Sequence, residues 1–103
     1  MIRLKSKNVN LDNVSSDIYY AISIVAEIYE TIGAGDLVIT SVRDSKHSNG
    51  SLHYVGEAFD TRVWTIPKTV NMDVLIKTIK SQLGNTYDVI FETTHIHIEY
   101  DPK

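Results

Sequence analysis

Tyr87-Asp88-Val89-Ile90-Phe91-Glu92-Thr93-Thr94-His95-Ile96-His97-Ile98-Glu99-Tyr100 is the stretch on which the fold turns. Tyr87 to Phe91 and His95 to Tyr100 are rich in β-branched and aromatic residues and read as two strands. The Thr93-Thr94 region between them is short and polar, as a tight hairpin connection requires, so the strands lie antiparallel. Alternation along the second strand puts His95, His97 and Glu99 on one face, with Ile96, Ile98 and Tyr100 on the other. The apolar set is expected to face a core. The two imidazoles, with Cβ atoms roughly 6–7 Å apart by strand rise, project from the opposite face. On this strand alone, a shared site and a plain solvated face are both open.

Upstream of the hairpin, Met72, Leu75, Ile76, Ile79 and Leu83 recur at helical spacing, with Asn71 as a cap and Gly84 as a stop. A longer helix is predicted over residues 15–33, where Ile18, Ala21, Ile22, Val25, Ile28, Tyr29 and Ile32 form one apolar face. Ser15 or Ser16 is expected to cap it, Asp17 suits the positive end of its dipole, and Gly33 and Gly35 end it. Leu37 to Val42 reads as a strand, and 56–64 as another. Between them the chain turns polar from Arg43 to Tyr54, a loop of the length that in a small domain is functional or disordered. The order α, β, loop, β, α, β, β predicts one α+β domain over residues 1–103: a small, mostly antiparallel sheet with both helices on one face.

Composition narrows what such a domain can do. The 103 residues include no cysteine, which excludes disulfides and thiolate zinc sites, so any metal must be held by His, Asp or Glu. The net charge is −3, with ten Lys and Arg residues spread along the chain, and no basic stripe suggests nucleic acid. No apolar run is long enough to span a bilayer. The basic start, Met1 to Lys7, is not followed by the apolar stretch of a signal peptide, so the expectation is a cytoplasmic product with no membrane insertion.

The second cluster of polar chemistry is Ser51-Leu52-His53-Tyr54-Val55-Gly56-Glu57-Ala58-Phe59-Asp60. His53 ends the polar loop and Asp60 lies on the strand after it. Gly56, Ala58, Asp60 and Arg62 share a face by alternation, and the small residues allow close approach to the backbone. Glu57 is expected to point away from the Asp60 side. Taken alone, His53 is a loop residue and Asp60 a surface carboxylate.

These ten residues match the S-x-H-x-x-G-x-A-x-D pattern of zinc D-alanyl-D-alanine carboxypeptidases and related peptidoglycan peptidases. His95-Ile96-His97 resembles their second signature, H-x-H. The zinc fold of hedgehog signalling domains shares the arrangement, and the order of elements is similar to small phage-type members of the group from Met1 onward. The resemblance implies a hedgehog/DD-peptidase-like fold holding one Zn²⁺ through His53, Asp60 and His97. Two imidazoles and one carboxylate leave a fourth position for water, as catalytic zinc sites do. Their charge of −1 against +2 leaves a positive centre, able to lower the pKa of bound water to about 7 and polarise a carbonyl.

The resemblance also places His95 beside the substrate, where it bonds the substrate or the tetrahedral intermediate. Arg43 corresponds to an upstream arginine that binds a substrate carboxylate or stabilises the oxyanion. The reaction needs a carboxylate to take a proton from water and return it to the leaving amine, and Glu92 is assigned that role. Many relatives carry their acidic residue three positions before the metal histidine, where this chain has Thr94. Glu99 shares the histidine face but lies further along the strand. Ser51 is expected to orient the loop or a metal ligand, Asp44 and His47 to contact substrate, and Arg62 and Trp64 to line the cleft. The implied activity is hydrolysis of peptidoglycan stem peptides, as a carboxypeptidase or an endopeptidase. The implied enzyme is a monomer or small homo-oligomer, either virion-associated or released to the cell wall by a holin or by lysis. The alternative is a catalytically silent zinc-binding or virion structural module of the same fold.

Overall fold

The computed structural model describes residues 1–12, 14–43 and 57–102. In chain order its elements are β1 (Ile2–Leu4), α1 (Ser16–Thr31), β2 (Leu37–Arg43), β3 (Glu57–Arg62), α2 (Met72–Leu83), β4 (Tyr87–Glu92) and β5 (His95–Tyr100). The five strands form one mixed sheet, ordered β1-β2-β3-β5-β4. β1 runs parallel to β2, and the other three pairings are antiparallel. The class is α+β, and β4 and β5 are joined at Thr93-Thr94 as the sequence implied.

The apolar stripe of α1, from Ile18 to Tyr29, is buried, as are Leu75, Ile79 and Leu83 of α2. α1 packs on β2, β3 and β5, while α2 packs on β4 and on α1. Leu37, Ile39, Phe59, Val89, Ile96 and Ile98 meet both helices in one core. Each such side chain contributes about 1.5–3 kcal/mol on burial, enough to fix which face of every strand turns inward. The opposite face is therefore left mainly to polar side chains, with Ile90 exposed among them.

The two helices begin differently. Asn71 Oδ1 accepts from the Val74 N–H at 3.2 Å, satisfying an otherwise orphaned donor of α2. Ser15 occupies the N-cap position of α1, but its hydroxyl makes no capping bond and is buried without a partner among the described residues. Its backbone N–H instead donates to Glu57 Oε2 at 2.7 Å. Glu57 is 1% exposed and points away from Asp60, so β3 places a carboxylate at the positive end of the α1 dipole. This corrects the expectation of a serine cap. The helices end at Gly33 (φ +76°) and Gly84 (φ +89°), conformations that glycine adopts without steric cost.

Two features of the sheet were not foreseen. β1 adds an edge strand, with the Leu37 N–H bonded to Met1 O and the Lys5 N–H bonded to Ile39 O, both at 2.9 Å. The second is a register shift between β2 and β3: Ile39 pairs with Thr61, yet Ser41 pairs with Asp60. Thr40 is the extra residue of this bulge. Leu37 and Ile39 point inward, and an unbroken strand would send Ser41 and Arg43 inward too. The bulge turns both to the outer face, where they are exposed. Among the described residues no helix is long and apolar enough to cross a membrane.

Candidate metal centre

Strand pairing arranges the outer face in three rows. Arg43, Ala58, Glu99 and Asp88 lie side by side across β2, β3, β5 and β4. Ser41, Asp60, His97 and Ile90 form the next row, and Arg62, His95 and Glu92 the third. Asp60 is the hub. Its Oδ1 accepts from His97 Nδ1 at 2.7 Å, and its Oδ2 accepts from Ser41 Oγ at 2.7 Å. The same Oδ2 lies 4.0 Å from His95 Nε2, which in turn is 3.5 Å from Glu92 Oε1. Thr94 Oγ1 sits 3.0 Å from His95 Nδ1, holding the ring so that Nε2 faces the two carboxylates.

Asp60, Glu92 and His95 offer ligand atoms that all lie within 4.8 Å of one another and can hold a metal ion. Neighbouring ligands of tetrahedral zinc are about 3.3 Å apart at ordinary bond lengths. Within this group His95 Nε2 lies 3.5 Å from Glu92 and 4.0 Å from Asp60, slightly wider than that value, while His97 stands beside the group, hydrogen-bonded to Asp60 at 2.7 Å. The donors are imidazole nitrogen and carboxylate oxygen, the types that zinc accepts when no thiolate is present. The residues fit a cation of this kind. They also favour one electrostatically: Asp60, Glu92, Glu99 and Asp88 outnumber Arg43 and Arg62 across the three rows.

The structure brings together Asp60, His95, His97, Glu92 and Arg43 of the residues expected from the sequence. His53, Ser51, Asp44 and His47 lie outside the described residues. Arg43 borders a concavity of about 150 Å³ shared with Ser41, Ala58, Asp60 and His97. Its guanidinium is paired with Glu99 Oε1 at 2.6 Å, which offsets its charge. The same oxygen lies 3.4 Å from His97 Nε2, so His97 stands between two carboxylates. Trp64 is 71% exposed and stacks with Arg62, whose guanidinium carbon is 4.5 Å from the ring centroid.

Two participants escaped the sequence reading, and a third was placed without a role. Ser41 bonds Asp60 and Thr94 bonds His95, while Glu99, set on the histidine face by alternation, links Arg43 to His97. Of the two that escaped, only Ser41 left a signal, since its polarity breaks the inward run of Leu37 and Ile39. Compared with protein-family models, with curated proteins and with solved structures, the chain matches none.

Proposed function

We propose that this chain is a zinc-dependent peptidase that hydrolyses peptide bonds in peptidoglycan stem peptides. The observation that carries the reading is the convergence of Asp60, His95, His97 and Glu92 on one solvent-facing patch of the sheet. In this reading Asp60 and His97 hold the zinc, with His53 as third ligand on the strength of the S-x-H-x-x-G-x-A-x-D pattern. When bound, zinc supplies Lewis acidity toward a carbonyl oxygen and toward water.

The chain's own residues account for the proton traffic. Glu92 stands at the exposed end of β4, half-exposed and within 3.5 Å of His95 Nε2. It takes a proton from water as the hydroxyl adds to the scissile carbonyl carbon, and returns it to the nitrogen as the C–N bond breaks. His95, steadied by Thr94, donates to the developing oxyanion from Nε2. Ser41 fixes the Asp60 carboxylate through Oδ2, so that one carboxylate rotamer is kept for the ligand role. Arg43 adds positive charge at the far end, reduced by its pairing with Glu99.

Metal analysis and digestion of purified peptidoglycan test the reading together. Wild-type protein is expected to hold one zinc per chain, and Asp60→Ala and His97→Ala to lose it. Glu92→Gln is expected to keep zinc while losing hydrolysis by about 10²–10⁴-fold, the usual contribution of a general base. Loss of zinc in His95→Ala but not in His97→Ala moves the ligand role to the Asp60–Glu92–His95 group. Zinc-loaded wild type that releases no amine from the wall overturns the peptidase reading in favour of a silent zinc-binding module.

A further inference from the structure

The sheet ends in two edge strands, and they are guarded unequally. An open strand edge invites another chain to add to it, and short length, cations, prolines or bulges discourage this. β1 is three residues long and carries Arg3, with Lys5 just beyond it. β4, at the other edge, runs Tyr87-Asp88-Val89-Ile90-Phe91-Glu92 without a lysine, arginine or proline. Its pairing with β5 is one-to-one throughout, so no bulge bends it away. Ile90 and Phe91 are both exposed there, on opposite faces. The backbone shows which residues address the open side. Asp101 N–H donates to Thr86 O at 2.7 Å, one step beyond the Tyr87–Tyr100 pair. Bonded and non-bonded pairs alternate in an antiparallel ladder. Asp88, Ile90 and Glu92 therefore turn their backbone groups toward β5, while Val89 and Phe91 turn theirs toward the side where no strand lies among the described residues.

Along this edge, between β4 and α2, lies a concavity of about 730 Å³ whose lining includes Lys77 and Lys80 of α2 and Asp88, Val89 and Ile90 of β4. Two cations thus stand on the helix side of the edge, whereas the acids of β4, Asp88 and Glu92, belong to the outer face. Side chains directly opposite in a ladder project on the same face. A residue paired with Val89 therefore lies beside the lysines, where a carboxylate is favoured. Its neighbours lie beside Ile90, where an apolar side chain is favoured. We infer that β4 is a docking edge for an extended acidic peptide of another protein, added antiparallel as a sixth strand, with carboxylates alternating with apolar residues. Val89 and Phe91 supply backbone bonds, and the lysines select the charge. A second copy of this chain is the poorer occupant, because on the helix side it offers the lysines only Tyr87, Val89 and Phe91. The inference is independent of hydrolysis, since neither these backbone groups nor the two lysines belong to the metal centre.

Fluorescence anisotropy of a labelled heptapeptide of alternating valine and glutamate, titrated with the full chain, tests the edge. Binding is expected to weaken as salt is raised, and by about two- to fivefold in each of Lys77→Gln and Lys80→Gln. Phe91→Pro removes an edge N–H while leaving the ladder to β5 intact, and is expected to weaken binding by about three- to tenfold. A peptide N-methylated at its glutamates, whose N–H groups face β4, is expected not to bind. Should Phe91→Pro fail to fold by circular dichroism, the methylated peptide makes the same test on wild type. Binding that survives N-methylation overturns strand addition. Equal affinity for the glutamate peptide and its glutamine counterpart, or affinity unchanged in both lysine variants, overturns the acidic partner. No binding up to millimolar peptide overturns the docking edge altogether. A dimer in sedimentation equilibrium that Phe91→Pro dissolves overturns it too, and gives β4 to a second copy.

Discussion

Tyr29 lies on the core side of the strand that carries Asp60 and Arg62. Its hydroxyl donates to the Arg62 carbonyl and lies 3.3 Å from Thr61 Oγ1. Burial raises its pKa above the ordinary 10.0, and the bond with Thr61 pulls it partly back. An acid whose folded pKa exceeds its unfolded value keeps more protons in the folded state between the two. Its contribution to stability is therefore complete below about pH 10 and is lost as pH rises through the folded pKa. Tyr29→Phe is expected to cost about 1 kcal/mol near neutrality, where the Arg62 carbonyl loses its donor. The gap in urea midpoint between the two proteins should then narrow above pH 10. A gap that stays constant to pH 12 shows that the phenol does not titrate differently in the folded chain.

At the scale of elements, the start of α1 is the informative case. A capping serine usually contributes about 1 kcal/mol, but the Ser15 hydroxyl makes no bond among the described residues and Glu57 does the capping from another strand. Ser15→Ala is therefore expected to change stability by less than about 0.5 kcal/mol, while Glu57→Ala costs about 1–3 kcal/mol by stranding a buried donor. Chemical denaturation of both variants distinguishes them, and a large loss from Ser15→Ala contradicts this account. The sequence could not show this link, because the two residues are 42 positions apart. Both helices and the β4–β5 hairpin were legible because their apolar residues repeat at periods set by local geometry. β1 was not, since three residues carry no readable period and its partner lies some 35 positions away. The bulge at Thr40 was half legible: Leu37 and Ile39 inward are at odds with Ser41 and Arg43 outward, but pairing alone decides where the extra residue goes. His95 and His97 were placed on one face by alternation, but Asp60 was joined to them only by the resemblance, because its contacts with them depend on the register between β3 and β5.

For the molecule as a whole, chemistry and core occupy opposite sides of a single sheet. The outer face holds an excess of carboxylates near one another, and a divalent cation bound there as proposed would relieve their repulsion only in the folded chain. Zinc at about 100 times its dissociation constant is expected to stabilise the fold by about 2.7 kcal/mol, a rise in Tm on the order of 10 °C for a domain of this size. Scanning calorimetry with zinc and then with chelator measures it, and Asp60→Ala should not respond. A melting temperature indifferent to zinc in wild type means that the outer face holds no ion. The alternation along β5 also separates two kinds of constraint. Ile96 and Ile98 are fixed by the volume they fill in the core, whereas His95, His97 and Glu99, interleaved with them, have no part in that packing. The outer face can therefore be rewritten at every second residue of the strand while the helices beneath keep their seats.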